Sequence, residues 1–117
     1  MSHWKPEATG AIIMQTQPLE VAASWVRKFP RHSAVSFTNN VTHAGYKDIP
    51  VSYLFCEIDQ CIPANVQQEG IDMIQAVSGN KVHVTRIKAD HCPSFTAMQE
   101  PADWIVDIAE KVQQKAG

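Results

Sequence analysis

Asp59 and His91 are the residues of this chain whose types and surroundings best fit acid–base chemistry. Asp59 follows the apolar stretch YLFC, and His91 lies in ADHCPSF, after the alternating stretch KVHVTRI. An aspartate can accept the proton on one imidazole nitrogen and so fix its tautomer, while the other nitrogen takes a proton from a nucleophile. That couple is two thirds of a hydrolytic triad. Alternatively, Asp59 caps the following helix and His91 is a polar loop residue, and these two residues alone leave both interpretations open.

The elements that would position this couple are predicted to form an α/β unit. Residues 51–57 are almost continuously apolar and β-prone, which is typical of a parallel strand buried on both faces. A helix is predicted from Pro63 to residues 78–80, a second strand over 81–87, and a terminal helix from Pro101. Strand, helix, strand and helix in this order predict a right-handed parallel crossover.

The loops after the two strands are expected to lie side by side, because ligand sites of open α/β sheets gather beyond the carboxyl ends of the strands. Asp59 and His91 would then meet within hydrogen-bond distance. The helices that flank the sheet should pack on it through apolar stripes. The stripe of the first helix consists of Val66, Gly70, Met73, Ile74 and Val77, and that of the terminal helix of Trp104, Ile105, Ile108 and Val112.

The N-terminal part of the chain shows a weaker pattern. A helix is predicted over 18–29, where one face carries Leu19, Ala22, Trp25, Val26 and Phe29. Residues 31–48 are rich in Ser, Thr, Asn and Gly and predict a loop with one or two helical turns. Near the N-terminus, the stretch GAIIMQT could add a third strand to the sheet.

The composition indicates a globular protein and excludes several classes of partner. The chain has 117 residues, of which 44% are hydrophobic and 19% charged, and its formal net charge is -2. It has no run of lysine or arginine, so neither nucleic acid nor a membrane is expected as a partner. The longest apolar stretches are far shorter than the ~20 residues that span a bilayer. Three cysteines and an N-terminus without a secretory pattern favour a reducing, cytoplasmic location.

Three stretches, VSYLFCEIDQCIP, VQQEGIDMI and VTRIKADHCPSF, resemble the C-terminal part of α/β-hydrolases. The likeness is to small fungal esterase-like members akin to plant methylesterases and hydroxynitrile lyases. In that family the triad acid lies in an E-x-D-x-x-I-P loop and the histidine in a D/G-H-x-P loop, which Asp59 and His91 match. The resemblance begins at about Pro18, since PLEVAASWVRKF and SFTNNVTHAGYKDIP are similar to the end of the lid that precedes the acid strand.

This resemblance implies the C-terminal portion of an α/β-hydrolase fold, with a short parallel sheet, flanking helices and no N-terminal half. Residues 1–49 would be a lid-like helical and loop segment, and residues 50–117 the core segment. The implied activity is hydrolysis of an ester or lactone in a small organic substrate, in fungal secondary metabolism, without a cofactor. Asp59 and His91 would be catalytic. The substrate would contact Trp25, Phe37, Tyr46, Ile62 and Cys92, although a plain core role is the alternative for the three aromatic residues.

The serine nucleophile of that family has no counterpart in this sequence. No G-x-S-x-G occurs, and no strand-turn-helix before Pro50 could hold a nucleophile elbow. The isolated chain is therefore expected to be inactive, as a truncated hydrolase that keeps only the acid and the base. A noncatalytic module that binds a small ligand or a partner is the alternative, as is a truncated gene product.

The cysteines raise two further hypotheses. Cys61, two residues beyond Asp59, could approach His91 as a thiolate nucleophile, or be a small buried apolar residue. A metal site is not expected, because Cys56, Cys61, His91 and Cys92 lack the paired spacing of zinc ligands.

The first predicted strand raises the question of self-association. In a sheet this short, residues 51–57 would leave an open apolar edge whose unpaired backbone groups can bind another strand. Dimerisation or poor solubility is the expected consequence.

Overall fold

The computed structural model describes residues 5–31 and 33–116 and shows an α/β arrangement around a small parallel sheet. Two helices, α1 (Pro6–Ile13) and α2 (Leu19–Arg27), come first, followed by short 3-10 turns at Ala34–Phe37 and Gly45–Lys47. The rest of the chain consists of β1 (Ser52–Cys56), α3 (Ala64–Ser78), β2 (His83–Ile87), α4 (Pro93–Thr96) and α5 (Gln99–Ala116). None of the described helices is both long enough and apolar enough to span a membrane.

The two strands pair in parallel, as their order along the chain predicted. Ser52 lies opposite His83 at one end of the pair, and Cys56 lies opposite Ile87 at the other. The backbone pairing continues past the strands, since the amide of Glu57 donates to the Ile87 carbonyl over 2.9 Å. The loops that follow the two strands are therefore held next to each other.

Helix α3 makes the crossover between the strands, and its end has a clear local cause. Gly79 follows its last residue with a φ of 73°, a left-handed conformation that glycine adopts without the cost that a Cβ atom brings. The amide of Gly79 closes the helix by donating to the Gln75 carbonyl over 2.9 Å. The predicted end at residues 78–80 is confirmed.

The apolar stripe predicted for α3 is displaced by one position from the face that the structure buries. Gln67 and Ile71 are the buried residues of this helix, whereas Val66, Met73 and Val77 are exposed. Hydrogen bonds explain the difference. The Gln67 side chain bonds to Cys56 at the end of β1, which turns the face of α3 that carries Gln67 toward the sheet. In the terminal helix, Trp104 and Ile108 of the predicted stripe are partly buried, whereas Ile105 and Val112 are exposed.

The core has two centres on the sheet and a third between the first helices. Phe55, Ile71 and Val82 pack together on the α3 side, while Cys56 and Ile87 pack with Ala89. The third cluster consists of Ile13, Met14, Ala22 and Val26, and Phe29 and Cys92 pack against it. Cys92 thereby joins the N-terminal helices to the loop after β2.

The stretch GAIIMQT is not a strand, which corrects the prediction of a third one. Its first residues belong to α1, which begins with Pro6 in its first turn and carries Glu7 there, both favourable at a helix N-terminus. A Cβ atom at Gly10 would lie 2.9 Å from the Cβ of Ala22. Helices α1 and α2 therefore approach each other closely at this glycine, and the stretch is occupied in helix–helix packing.

Candidate active site

Asp59 and His91 lie in contact at the carboxyl ends of the two strands. The Nδ1 atom of His91 is 2.9 Å from Oδ2 of Asp59, and 32 positions separate the two residues in the chain. The Asp59 side chain is 6% exposed and that of His91 34% exposed. A buried carboxylate that accepts the Nδ1 proton leaves Nε2 as the ring nitrogen able to take a proton from another group.

The Asp59 carboxylate is oriented by the backbone of its own loop. Its Oδ1 atom accepts hydrogen bonds from the amides of Cys61 and Ile62 over 2.8 and 2.9 Å. This is an Asx-type turn, in which a short acidic side chain organises the residues that follow it. Because Oδ1 is engaged by the backbone, Oδ2 is the oxygen that faces His91.

Gln67 of α3 ties this loop to the strand before it. Its Nε2 atom donates to the carbonyls of Cys56 and Ile62 over 2.8 and 2.9 Å, and its Oε1 atom accepts from the Cys56 amide over 3.0 Å. The side chain is buried, and it partners the Cys56 amide and the Ile62 carbonyl, whereas the Cys56 carbonyl also accepts from the Asp59 amide over 3.3 Å. One amide thus supports both ends of the turn that carries Asp59.

The loop of His91 is organised by the residue before it. Asp90 is fully buried, and its Oδ1 atom accepts from the Cys92 amide over 3.1 Å and from the Thr96 hydroxyl over 2.7 Å. Its Oδ2 atom accepts from the Thr16 hydroxyl over 2.7 Å. The carboxylate therefore joins the His91 loop to α4 and to the segment between α1 and α2.

Cys56 and Cys92 lie near this pair, but their raised thiol pKa values make both of them poor nucleophiles. Burial, followed by the charges of Asp90 and Asp59, raises the pKa of the Cys92 thiol to about 11. Burial and the charge of Asp59 also raise the pKa of Cys56. Both thiols therefore stay protonated at neutral pH. Because the thiolate is the reactive form, neither is ready to attack a substrate. Cys61 is exposed rather than buried, which corrects the interpretation of it as a small buried residue.

The residues predicted to contact substrate are distributed unevenly around the pair. Ile62 and Cys92 belong to the two loops themselves. Trp25 stacks on Phe95 of α4 with 4.9 Å between the ring centroids, which places it beside the helix that follows the His91 loop.

Two other aromatic residues of that set lie in the 3-10 turns. The Tyr46 hydroxyl contacts Sδ of Met73 on α3 over 3.5 Å, and Phe37 is 76% exposed. The Tyr46 contact is therefore with α3 and not with Asp59 or His91. A core role, the alternative for the aromatic residues, does not apply to Phe37.

Residues 5–31 and 33–116 contain no cluster of three or more His, Cys, Asp or Glu side chains with the arrangement needed for a metal ion. A cleft of about 760 Å³ opens elsewhere, and its wall includes Pro50, Ser52, His83 and Val112. It lies at the amino ends of the strands, and therefore away from the Asp59–His91 pair.

Three residues that support the pair were not singled out by their sequence pattern. Gln67 lies next to the predicted apolar stripe of its helix, Thr16 lies in a stretch predicted as a strand, and Asp90 is the acid before the histidine. Gln67 stands in the polar run QQE and Asp90 in KADH, so the neighbouring residues give no signal that either side chain is buried. Their bonding partners are 11 and 74 positions away, so local patterns do not identify them.

Comparison with known proteins adds one relative. Over 78 residues the chain is 41% identical to a protein of Phoma sp. named Probable hydrolase R7. The match covers 67% of this chain and 32% of that protein, so the chain spans about a third of the length of this curated relative. No family model matches the chain, and no solved structure matches it.

Proposed function

We propose that this chain is the acid- and base-bearing part of an α/β-hydrolase that cleaves an ester or lactone bond in a small organic substrate. The contact of 2.9 Å between His91 Nδ1 and Asp59 Oδ2 carries this proposal. The similarity to Probable hydrolase R7 supports the hydrolase class. The ester or lactone substrate rests on the E-x-D-x-x-I-P and D-H-x-P patterns around the two residues.

In the proposed reaction His91 acts as the general base. Its Nε2 atom takes the proton of a serine hydroxyl as the oxygen attacks the substrate carbonyl, and the Asp59 carboxylate stabilises the imidazolium that forms. The imidazolium then gives this proton to the departing alkoxide, and an acyl-enzyme remains. Water activated by the same nitrogen hydrolyses the acyl-enzyme and restores the serine.

The serine must come from sequence beyond this chain. No G-x-S-x-G occurs among the 117 residues, and a nucleophile elbow with its oxyanion hole is needed for efficient acyl transfer. The part of Probable hydrolase R7 outside the matched region is the natural place to look for these groups. We therefore expect the isolated chain neither to hydrolyse an activated ester nor to react with a fluorophosphonate.

A chimera tests the proposal directly. The matched segment of the Phoma protein is replaced by that of this chain, and hydrolysis of p-nitrophenyl butyrate is measured for the chimera and the unmodified Phoma protein. We expect the chimera to retain hydrolysis and its His91→Ala variant to lose at least about 10²-fold in kcat, as is usual for a general base. The matched control is His43→Ala, since His43 pairs with Asp48 in an exposed loop.

Two outcomes would overturn the proposal. One is a folded chimera that is inactive although the Phoma protein hydrolyses the ester. The other is a chimera whose activity does not change when His91 is replaced by alanine.

A further inference from the structure

Consecutive residues of the segment between α1 and α2 reach both loops of the candidate site. The side-chain amide of Gln15 donates to the carbonyl of Ile58, the residue before Asp59. Thr16 hydrogen-bonds to Asp90, the residue before His91. The N-terminal helical pair therefore holds the acid loop and the base loop through neighbouring positions.

Asp90 is the centre of this arrangement. Its carboxylate is fully buried, and no Lys, Arg or His side chain within the described residues forms an ion pair with it. Four hydrogen bonds reach it instead, from the amide and hydroxyl of Thr16, the hydroxyl of Thr96 and the amide of Cys92. A buried carboxylate is tolerated only when such donors replace its water, so this group depends on the N-terminal segment.

The hydrophobic contacts in the same region do not by themselves define the position of His91. Met14 is fully buried, and the cluster around it packs against Cys92. Apolar packing is not directional, whereas the hydrogen bonds to Asp90 fix both of its carboxylate oxygens at defined distances. Because Asp90 and His91 are adjacent, fixing the Asp90 side chain also limits where the imidazole can lie.

We infer that Asp90 is a positioning residue, which Thr16 holds in place so that Nδ1 of His91 meets Asp59. The inference rests on the proposed function in treating His91 as the base. It assigns the segment that joins α1 and α2 a part in the alignment of acid and base. A displacement of about 1 Å between catalytic groups can lower a rate by about 10²-fold, so we expect the alignment of Asp59 and His91 to affect the reaction rate.

The test measures the His91–Asp59 hydrogen bond in the intact chain by NMR. The Nδ1 proton of His91 and its exchange with solvent are followed in the unmodified chain and in Thr16→Val, which removes one donor to Asp90 but preserves the side-chain shape. A hydrogen bond to a charged group is stronger than one between neutral groups, and its loss changes an equilibrium by about tenfold or more. We expect the exchange of this proton in Thr16→Val to accelerate by about tenfold or more.

Three further variants make the test specific. Thr16→Ser keeps the hydroxyl and should restore slow exchange, and Thr42→Val changes an exposed threonine outside the site as the matched control. Asp90→Asn should accelerate exchange as Thr16→Val does, because an amide cannot accept at both of its polar atoms. If Asp90→Asn does not fold, Thr16→Val decides the matter, because it leaves the donors Thr96 and Cys92 in place.

Two results would overturn the inference. In one, the Nδ1 proton of His91 exchanges with solvent no faster in Thr16→Val than in Thr42→Val. In the other, the backbone amide of Ile71, in the core beside α3, accelerates by the same factor as the His91 proton, which would show general loosening of the fold. Failure of the proposed function looks different, because the chimera would then be inactive while the NMR response to Thr16→Val persists.

Discussion

The Nδ1 atom of His91 lies 2.9 Å from Oδ2 of Asp59, and the acid is almost fully buried beneath the partly exposed imidazole. A second histidine–aspartate contact, His43 with Asp48, spans only five positions and is exposed on both sides. The two pairs have the same chemistry but different surroundings. In the first pair, backbone amides hold the carboxylate, so the fold determines the direction of the imidazole.

Replacing Asp59 by asparagine should change the tautomer of His91. The Asx turn can persist, because the asparagine oxygen still accepts from the amides of Cys61 and Ile62. The new NH2 group then faces Nδ1, so the neutral ring should carry its proton on Nε2. Nitrogen-15 NMR of the imidazole measures this directly. Asp48→Asn is the control, and an unchanged His91 spectrum in Asp59→Asn would contradict the assigned contact.

Gln67→Met should destabilise the protein by about 1–3 kcal/mol. The substitution preserves the side-chain volume but leaves the Cys56 amide and the Ile62 carbonyl without their Gln67 partner and removes one of two donors to the Cys56 carbonyl. Urea unfolding of Gln67→Met and of Gln68→Met provides the comparison, since the Gln68 side chain donates to the exposed Asp72 on its own helix. Equal free energies of unfolding for the two variants would show that the Gln67 contacts contribute nothing.

Two glycine substitutions in and after α3 should have opposite effects. Gly79→Ala should lower the free energy of unfolding by about 1 kcal/mol, because Gly79 has a φ of 73° and a Cβ atom is strained there even in open space. Gly70→Ala should raise it by about 0.5–1 kcal/mol, since Gly70 lies inside the helix and a Cβ atom meets nothing within 4 Å. Thermal unfolding of both variants measures the difference, and effects of the same sign would refute the assigned helix end.

The stability of the chain should fall as the pH rises above about 9. The pKa of Cys92 is raised from 9.0 in the unfolded chain to about 11 in the folded one. Between these values the unfolded state binds fewer protons than the folded state, so the free energy of unfolding decreases with pH. Below about 9 the thiol is protonated in both states and contributes no slope.

Urea unfolding at several pH values between 8 and 11 measures this slope, and Cys92→Ala should reduce it. Cys61→Ala, at an exposed position, should leave a steeper slope than Cys92→Ala. If both variants show the same dependence on pH, burial of Cys92 is not its cause.

The chain should self-associate as its concentration rises. The sheet has two strands, so within the described residues β1 and β2 each have one edge without a neighbouring strand, although the Gln67 side chain bonds to Cys56 at the end of β1. Backbone groups on such an edge can pair with a second copy of the chain or with a complementary hydrolase segment. Sedimentation velocity over a hundredfold concentration range tests this, and a constant monomer mass throughout would contradict it.

The prediction from sequence succeeded where neighbouring residues determine structure. The order of β1, α3 and β2 followed from apolar runs and from the position of Gly79, and the parallel pairing followed from that order. The loop over 31–48 with its short helical turns is also confirmed. The strands and helices themselves follow from interactions within a few residues of one another, and their order then predicts the long-range pairing of β1 with β2.

It failed where a contact with a distant element outweighed a local pattern. The buried face of α3 is turned toward Gln67 because of its bonds to β1, and GAIIMQT contributes to α1 because Gly10 lets that helix pack on α2. Hydrophobic periodicity cannot register either effect. Both depend on a partner in another element.

The amino-acid sequence is enough to single out Asp59 and His91 as the candidate acid and base, because residue type and the preceding strand ends are local properties. Which oxygen of Asp59 faces the imidazole, and which groups hold it there, depends on the packing of the whole fold. Thr16 reaches Asp90 across 74 positions, and Gln67 reaches Cys56 across 11. Hydrogen bonds act over about 3 Å in space regardless of separation along the chain, so these supports exist only once the elements have packed.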